Sequence, residues 1–117
     1  MNIDDLNSLE IDMIDGLKDY IDYIKADYRK WFKGRDDEIA VRMIEEFDNG
    51  VRIERGSKYL KVITKNSVHS FVCYRDLGKF TKGDILKANS WRSPAKNFSR
   101  GNVMSREYGA TTWTGAM

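Results

Sequence analysis

Cysteine and histidine each occur once in this chain of 117 residues, at Cys73 and His69, and together they are the natural candidates for a nucleophile and its base. Both fall in one strand-like segment, "VHSFVCY", four positions apart. That spacing puts them on one face of a strand but ~13 Å from each other at 3.3 Å per residue. A nucleophile must come within about 3 Å of its base, so the pair cannot act as a dyad. One His and one Cys are also too few for a four-ligand zinc site. "GKFTKGD" has the glycines and lysines of a phosphate loop but not the G-x-x-x-x-G-K-[ST] spacing, and a strand follows it rather than a helix. Asp12, Asp15, Asp19 and Asp22 recur at three- and four-residue spacing, as on a solvated helix face, without the inward geometry of a bundle metal site. The expectation is a protein that is not an enzyme and carries no metal or cofactor.

Chemistry of another kind gathers in "KANSWRSPAKNFSRGNV". Here Lys87, Arg92, Lys96 and Arg100 are interleaved with Trp91 and Phe98, and with Asn97 and Asn102, in a stretch without helical or strand period. Bases beside flat rings suit single-stranded nucleic acid, with charge for phosphates and faces for stacking. Trp and Arg also dominate protein–protein hot spots. Against both stands a structural role, in which the rings fold inward to plug the end of a small barrel and the asparagines satisfy loop backbone. The need to pin a long loop favours that inward arrangement.

The elements that must hold these residues divide by charge. Residues 1–48 carry fourteen acidic and seven basic side chains, a net −7; residues 49–117 carry four and thirteen, a net +9. Such sorting describes partners rather than fold, and two outward faces of opposite sign are expected unless the halves neutralise each other on packing.

The acidic half reads as helix. Ile14, Leu17, Ile21, Ile24, Tyr28 and Trp31 recur every three or four residues, predicting a helix over about 8–33 of ~39 Å. Asn7 and Glu10 would form its capping box, Leu6 and Ile11 the staple, Lys33-Gly34 its end; Gly16 marks a bend or break. A second helix starts at Asp36, with Ile39, Met43, Ile44 and Phe47 as its apolar stripe and Asn49-Gly50 as its stop. The short link makes an antiparallel hairpin. The first third of the longer helix then needs cover, from its own sheet or from a second copy across a homodimer seam.

From residue 51 the period becomes two. "VRIER", "KYLKVIT" and "VHSFVCY" read as antiparallel strands, "DILK" as a fourth with Ile85 and Leu86 inward, and "ATTWT" as a short closing strand. The fold class is α+β: an N-terminal antiparallel helical hairpin, then a small curled antiparallel β-sheet or partly open SH3-like or OB-like barrel, in one domain with one modest core.

The run "GKFTKGDILKANSWRSPAKNFSRGNV" and the terminal "TWTGAM" resemble the C-terminal part of small tailed-bacteriophage proteins of unassigned function. Those share K-F-x-K-G-D-I-L-K, a tryptophan, P-A, an asparagine and R-G-N ahead of a final W-T-G. The likeness spans about residues 58–117 and leaves out the acidic half. It implies a virus-encoded protein of the host cytoplasm and brings no catalytic residue or cofactor. An acidic start, a lone cysteine and the absence of long apolar runs point to the same compartment, with no membrane partner. The expected function is an accessory protein that binds a host or phage macromolecule, most readily a protein, through the 87–103 loop or, as a mimic of nucleic-acid charge, through Asp12, Asp15, Asp19 and Asp22. Single-stranded nucleic acid bound by the basic half is the alternative, and a virion component the third.

Overall fold

In the computed structural model, which describes residues 9–109 and 111–117, one uninterrupted helix, α1, runs Ile11–Trp31. Glu10 caps it through extended backbone, without a side-chain bond. Asn7 and Leu6 lie outside the described residues, and Ile11 is 78 % exposed, so it packs against nothing as a staple would require. The buried stripe is Met13, Leu17, Tyr20, Ile24 and Tyr28, while Trp31 is 69 % exposed. Gly16 does not break the helix. A Cβ there would lie 2.8 Å from the Val103 carbonyl oxygen, so glycine lets the backbone of the 101–109 segment press onto α1. That approach answers how the first third of α1 is covered: Met13 and Leu17 share a buried cluster with Val103, inside the same chain.

Lys33 and Gly34, both with positive φ, end the turn after α1. The second helix, α2, spans Glu38–Gly50, one to two residues later than Asp36 would give. Asp37 is its cap, accepting from the Ala40 N–H at 3.3 Å. Its buried residues are Ala40 and Phe47; Ile39 and Met43, expected on the inner stripe, are exposed. The helices meet at the end of α1, where Phe47 stacks on Tyr28 (4.1 Å, 9°) and Asp48 pairs with Arg29. α2 is thus anchored by its last turn, which leaves the outer side of its first turns uncovered.

Five strands follow in a meander: β1 Val51–Arg55, β2 Tyr59–Thr64, β3 Ser67–Cys73, β4 Asp84–Lys87 and β5 Gly101–Asn102, ordered β1-β2-β3-β4-β5 with every pair antiparallel. The sheet does not close into a barrel. "ATTWT" adds no strand to it: β6 Thr111–Thr112 and β7 Gly115–Ala116 form a separate ribbon. Three bonds fasten that ribbon, from the Tyr23 hydroxyl to Thr111 O, from the Trp113 N–H to Asp27, and between His69 Nε2 and Thr112 O.

Both faces of the sheet are covered in part, so there are two apolar clusters instead of the single core expected. Ile53, Leu60, Val62, Val72 and Ile85 point to the helices; Phe71, Cys73, Leu86 and Phe80 form a smaller cluster behind. Strict alternation along β3 and β4 produces this split. One irregularity interrupts it. Val62 pairs with Ser70 and Ile63 with Val68, which leaves His69 as the extra residue of a bulge. The bulge turns His69 to the helix side, its ring 5.9 Å from that of Tyr20, while Cys73 stays behind the sheet. The two do not share a face, as uninterrupted alternation predicts.

Candidate functional site

Residues of β2 that alternate with the core, Tyr59 and Lys61, look out from the back of the sheet, away from the helices. Around them lies an open hollow of about 420 Å³ lined by Arg55, Lys58, Tyr59, Lys61, Phe71 and Arg92, with Glu54 at its rim. A second, of about 330 Å³, shares Lys58 and Tyr59 and continues past Leu77, Phe80, Lys79 and Lys96. Five bases and one acid therefore border the depression behind the sheet; Arg55 reaches its rim, but it pairs with Leu60 and its guanidinium lies over Tyr74 on the helix side. A concave surface with charge predominantly of one sign attracts polyanions and raises their local concentration.

The 88–100 loop supplies one wall. It is pinned by backbone bonds from Ala95 N–H to Lys87 O (2.8 Å) and Arg100 N–H to Ile85 O (2.7 Å), by a bridge between Ala88 and Pro94, and by the burial of Pro94. Because these hold it, the two rings are not needed as plugs. Trp91 is 46 % and Phe98 55 % exposed, so the inward arrangement favoured by the sequence is overturned. Each ring carries a cation: Lys61 Nζ is 4.7 Å from the centre of Trp91, and the Arg100 guanidinium is 3.8 Å from that of Phe98.

The eight candidates of this loop part company. Arg92 and Lys96 are exposed beside the hollows, with Trp91 and Phe98 as their aromatic neighbours. Lys87 is exposed but follows Leu86 and pairs across to Ser70, so it projects from the helix side of the sheet. Asn97, Arg100 and Asn102 are taken up internally. Asn97 Oδ1 accepts from Arg100 Nη1 at 2.7 Å. Asn102 donates to Lys82 O and Asp84 and accepts from the Met104 and Ser105 N–H groups, holding the β5 turn. Lys58, Lys61, Lys79 and Tyr59 complete the surface and were missed by a reading confined to the loop. The signal for two of them was present in "KYLKVIT", whose period puts Tyr59 and Lys61 opposite Leu60 and Val62.

The acidic row is not a free face. Asp12 lies 3.4 Å from Lys82 Nζ, which also binds Glu10, and Asp19 pairs with Arg106 at 2.9 Å. Asp15 and Asp22 are exposed and make no ion pair among the described residues. The halves are thus stitched by Lys82 and Arg106, while the bases behind the sheet lie outside these bridges. Exposed pairs of this kind contribute about 0–1 kcal/mol each, so they orient more than they stabilise.

The one histidine belongs to a buried chain. A carbonyl only accepts, so His69 Nε2 carries the proton donated to Thr112 O at 2.6 Å. Nδ1 then accepts from Ser70 Oγ (2.9 Å), which accepts from the Tyr20 hydroxyl (2.8 Å). Burial pushes the His69 pKa below its ordinary value and the Tyr20 phenol far above its own. Cys73 is pushed up to about 12, mainly by burial and further by Asp84, so its thiol is protonated at neutral pH. Among the described residues, no three His, Cys, Asp or Glu side chains converge as metal ligands, and no helix is long and apolar enough to cross a membrane.

Fold and surface together define a small α+β protein with a helical front and a basic, aromatic back to its sheet. The chain belongs to DUF7717, a family of unknown function, whose model matches residues 4–117. No curated protein and no solved structure matches it.

Proposed function

We propose that the chain binds single-stranded nucleic acid along the back of its sheet. One observation carries this reading: Trp91 and Phe98 are exposed beside a depression bordered by five bases and one acid, Trp91 under the Lys61 ammonium of that border and Phe98 next to the Asn97 carbonyl that Lys79 of that border holds. Phosphates satisfy the bases, and unpaired bases stack on rings that a duplex, with its base faces hidden, cannot use. The likeness of residues 58–117 to tailed-phage proteins supports a role in the cytoplasm of an infected bacterium. Fluorescence anisotropy with labelled single-stranded DNA or RNA of about eight nucleotides tests it at low salt. Lys58→Glu with Arg92→Glu abolishes binding on this reading; equal affinity in that variant, or no binding by the native chain, rejects it.

A host or phage protein as partner is the second reading, and a separate feature favours it. Trp31, its ring 6.2 Å from that of Trp113, and Met43, which lines one hollow with Trp113, are both exposed, with Ile39 one turn before Met43 on α2. Capture of one defined protein from nuclease-treated lysate, lost on Ile39→Asp, supports it; capture that disappears with nuclease returns the interaction to nucleic acid.

A further inference from the structure

Phe98 is exposed, but the turn that carries it is held at several points. Its inner face rests on the guanidinium of Arg100, whose residue is only 7 % exposed. Arg100 Nη1 donates to Asn97 Oδ1 and to the Phe98 carbonyl, both at 2.7 Å. Asn97 Oδ1 also accepts from the Phe98 N–H at 3.0 Å, and Lys79 Nζ donates to the Asn97 carbonyl at 2.6 Å. Lys79 lines the second hollow beside Lys96, which places the ring at the border of the basic depression. A floppy loop aromatic needs none of these supports. A ring whose working face is the outer one needs them all, because stacking is strongest when the platform is already ordered.

We infer that Phe98 is a stacking platform for a purine base, and that Arg100 selects the ligand electronically. The inference rests on the nucleic-acid reading of the same face. A fixed cation under one side of the ring draws π density toward itself. The outer side is then a poor seat for a second cation, such as a Lys or Arg of a partner protein, and a good one for a neutral, electron-rich ring. Purines offer the larger and more polarisable face of the two base classes. Neighbouring Lys79 and Lys96 meet the phosphates on either side of the stacked base, so base and backbone are bound by separate groups.

The test compares oligo-dA, oligo-dT and an abasic strand of equal length against the native chain and Phe98→Ala. The substitution removes an exposed side chain and leaves the fold intact, which circular dichroism checks. Oligo-dA binds tighter than oligo-dT, and the abasic strand weakest. Phe98→Ala weakens oligo-dA by about tenfold, within the range for one stacked base, brings it level with oligo-dT, and does not affect the abasic strand. Phe98→Trp restores the purine preference. With 2-aminopurine in the strand, quenching on binding is lost in Phe98→Ala. If strands bind with the same affinity and quenching in native and Phe98→Ala chains, this inference is overturned while the nucleic-acid reading stands. If no strand binds at low salt, both fall.

Discussion

The salt dependence of strand binding can be worked from the side chains that border the depression. Lys58, Arg92 and Lys96 have no hydrogen bond or ion pair at their charged ends among the described residues, whereas Lys61 and Lys79 sit over Trp91 and Phe80. Arg55 lies over Tyr74 on the helix side and does not count. The number of phosphates met therefore lies between three and five. Each contact with a single strand contributes about −0.7 to the slope of log K against log salt, giving about −2 to about −3.5. Raising salt fourfold then weakens binding by roughly 20-fold at the lower bound and roughly 130-fold at the upper. Lys58→Ala, Arg92→Ala and Lys96→Ala combined should flatten the slope by about 2. Lys30→Ala, on the helical side, should leave it unchanged. Anisotropy titrations over a salt series measure both. A triple variant that keeps the native slope, or a Lys30→Ala chain that changes it equally, refutes the placement of phosphates on the back of the sheet.

Three further outcomes follow from the same packing. Cys73, held protonated by burial, should resist thiol reagents in the native chain at neutral pH and react once denatured; fast native labelling contradicts its place in the rear cluster. His69 is neutral in the fold and its pKa is depressed there, so the unfolded chain takes up its proton first. Its contribution is present above the unfolded value of about 6.5 and is lost as pH falls from there toward the folded pKa; thermal melts over this interval should show a pH slope that is reduced in His69→Gln. Asp37→Ala removes the α2 cap with its bond to the Ala40 N–H, and the paired contact with Arg35, and should lower Tm by about 4–8 °C for a domain near this size; an unchanged melt rules the cap out as a stabilising contact.

How far the sequence discloses this molecule depends on the range of the interaction involved. Local periodicity was enough for two helices and four consecutive antiparallel strands, because a pleat alternates without reference to anything distant; the same alternation held the signal for the outward Tyr59 and Lys61, which a reading confined to the loop passed over. Three features depend on partners far along the chain. Gly16 reads as a weak point of a helix until Val103, 87 positions later, is brought against it. His69 reads as a neighbour of Cys73 until the pairing of Val62 with Ser70 inserts a bulge. Trp91 and Phe98 read as plugs because nothing in their own segment reveals that Arg100 N–H bonds Ile85 O and that Pro94 is buried in their place. The charge tally identified two halves of opposite sign but not their stitching by Lys82 and Arg106, which is a matter of where long side chains reach.

Chemical-shift mapping of the labelled protein, titrated with a single-stranded oligonucleotide, bears most directly on where the ligand lies. The account predicts shifts confined to residues 54–61, Phe71, 77–80 and 91–98, with the Trp91 indole among the largest, and none at Asp15, Asp22 or Trp31. Shifts centred on the helices, or a spectrum that strand addition leaves unaltered, would contradict it.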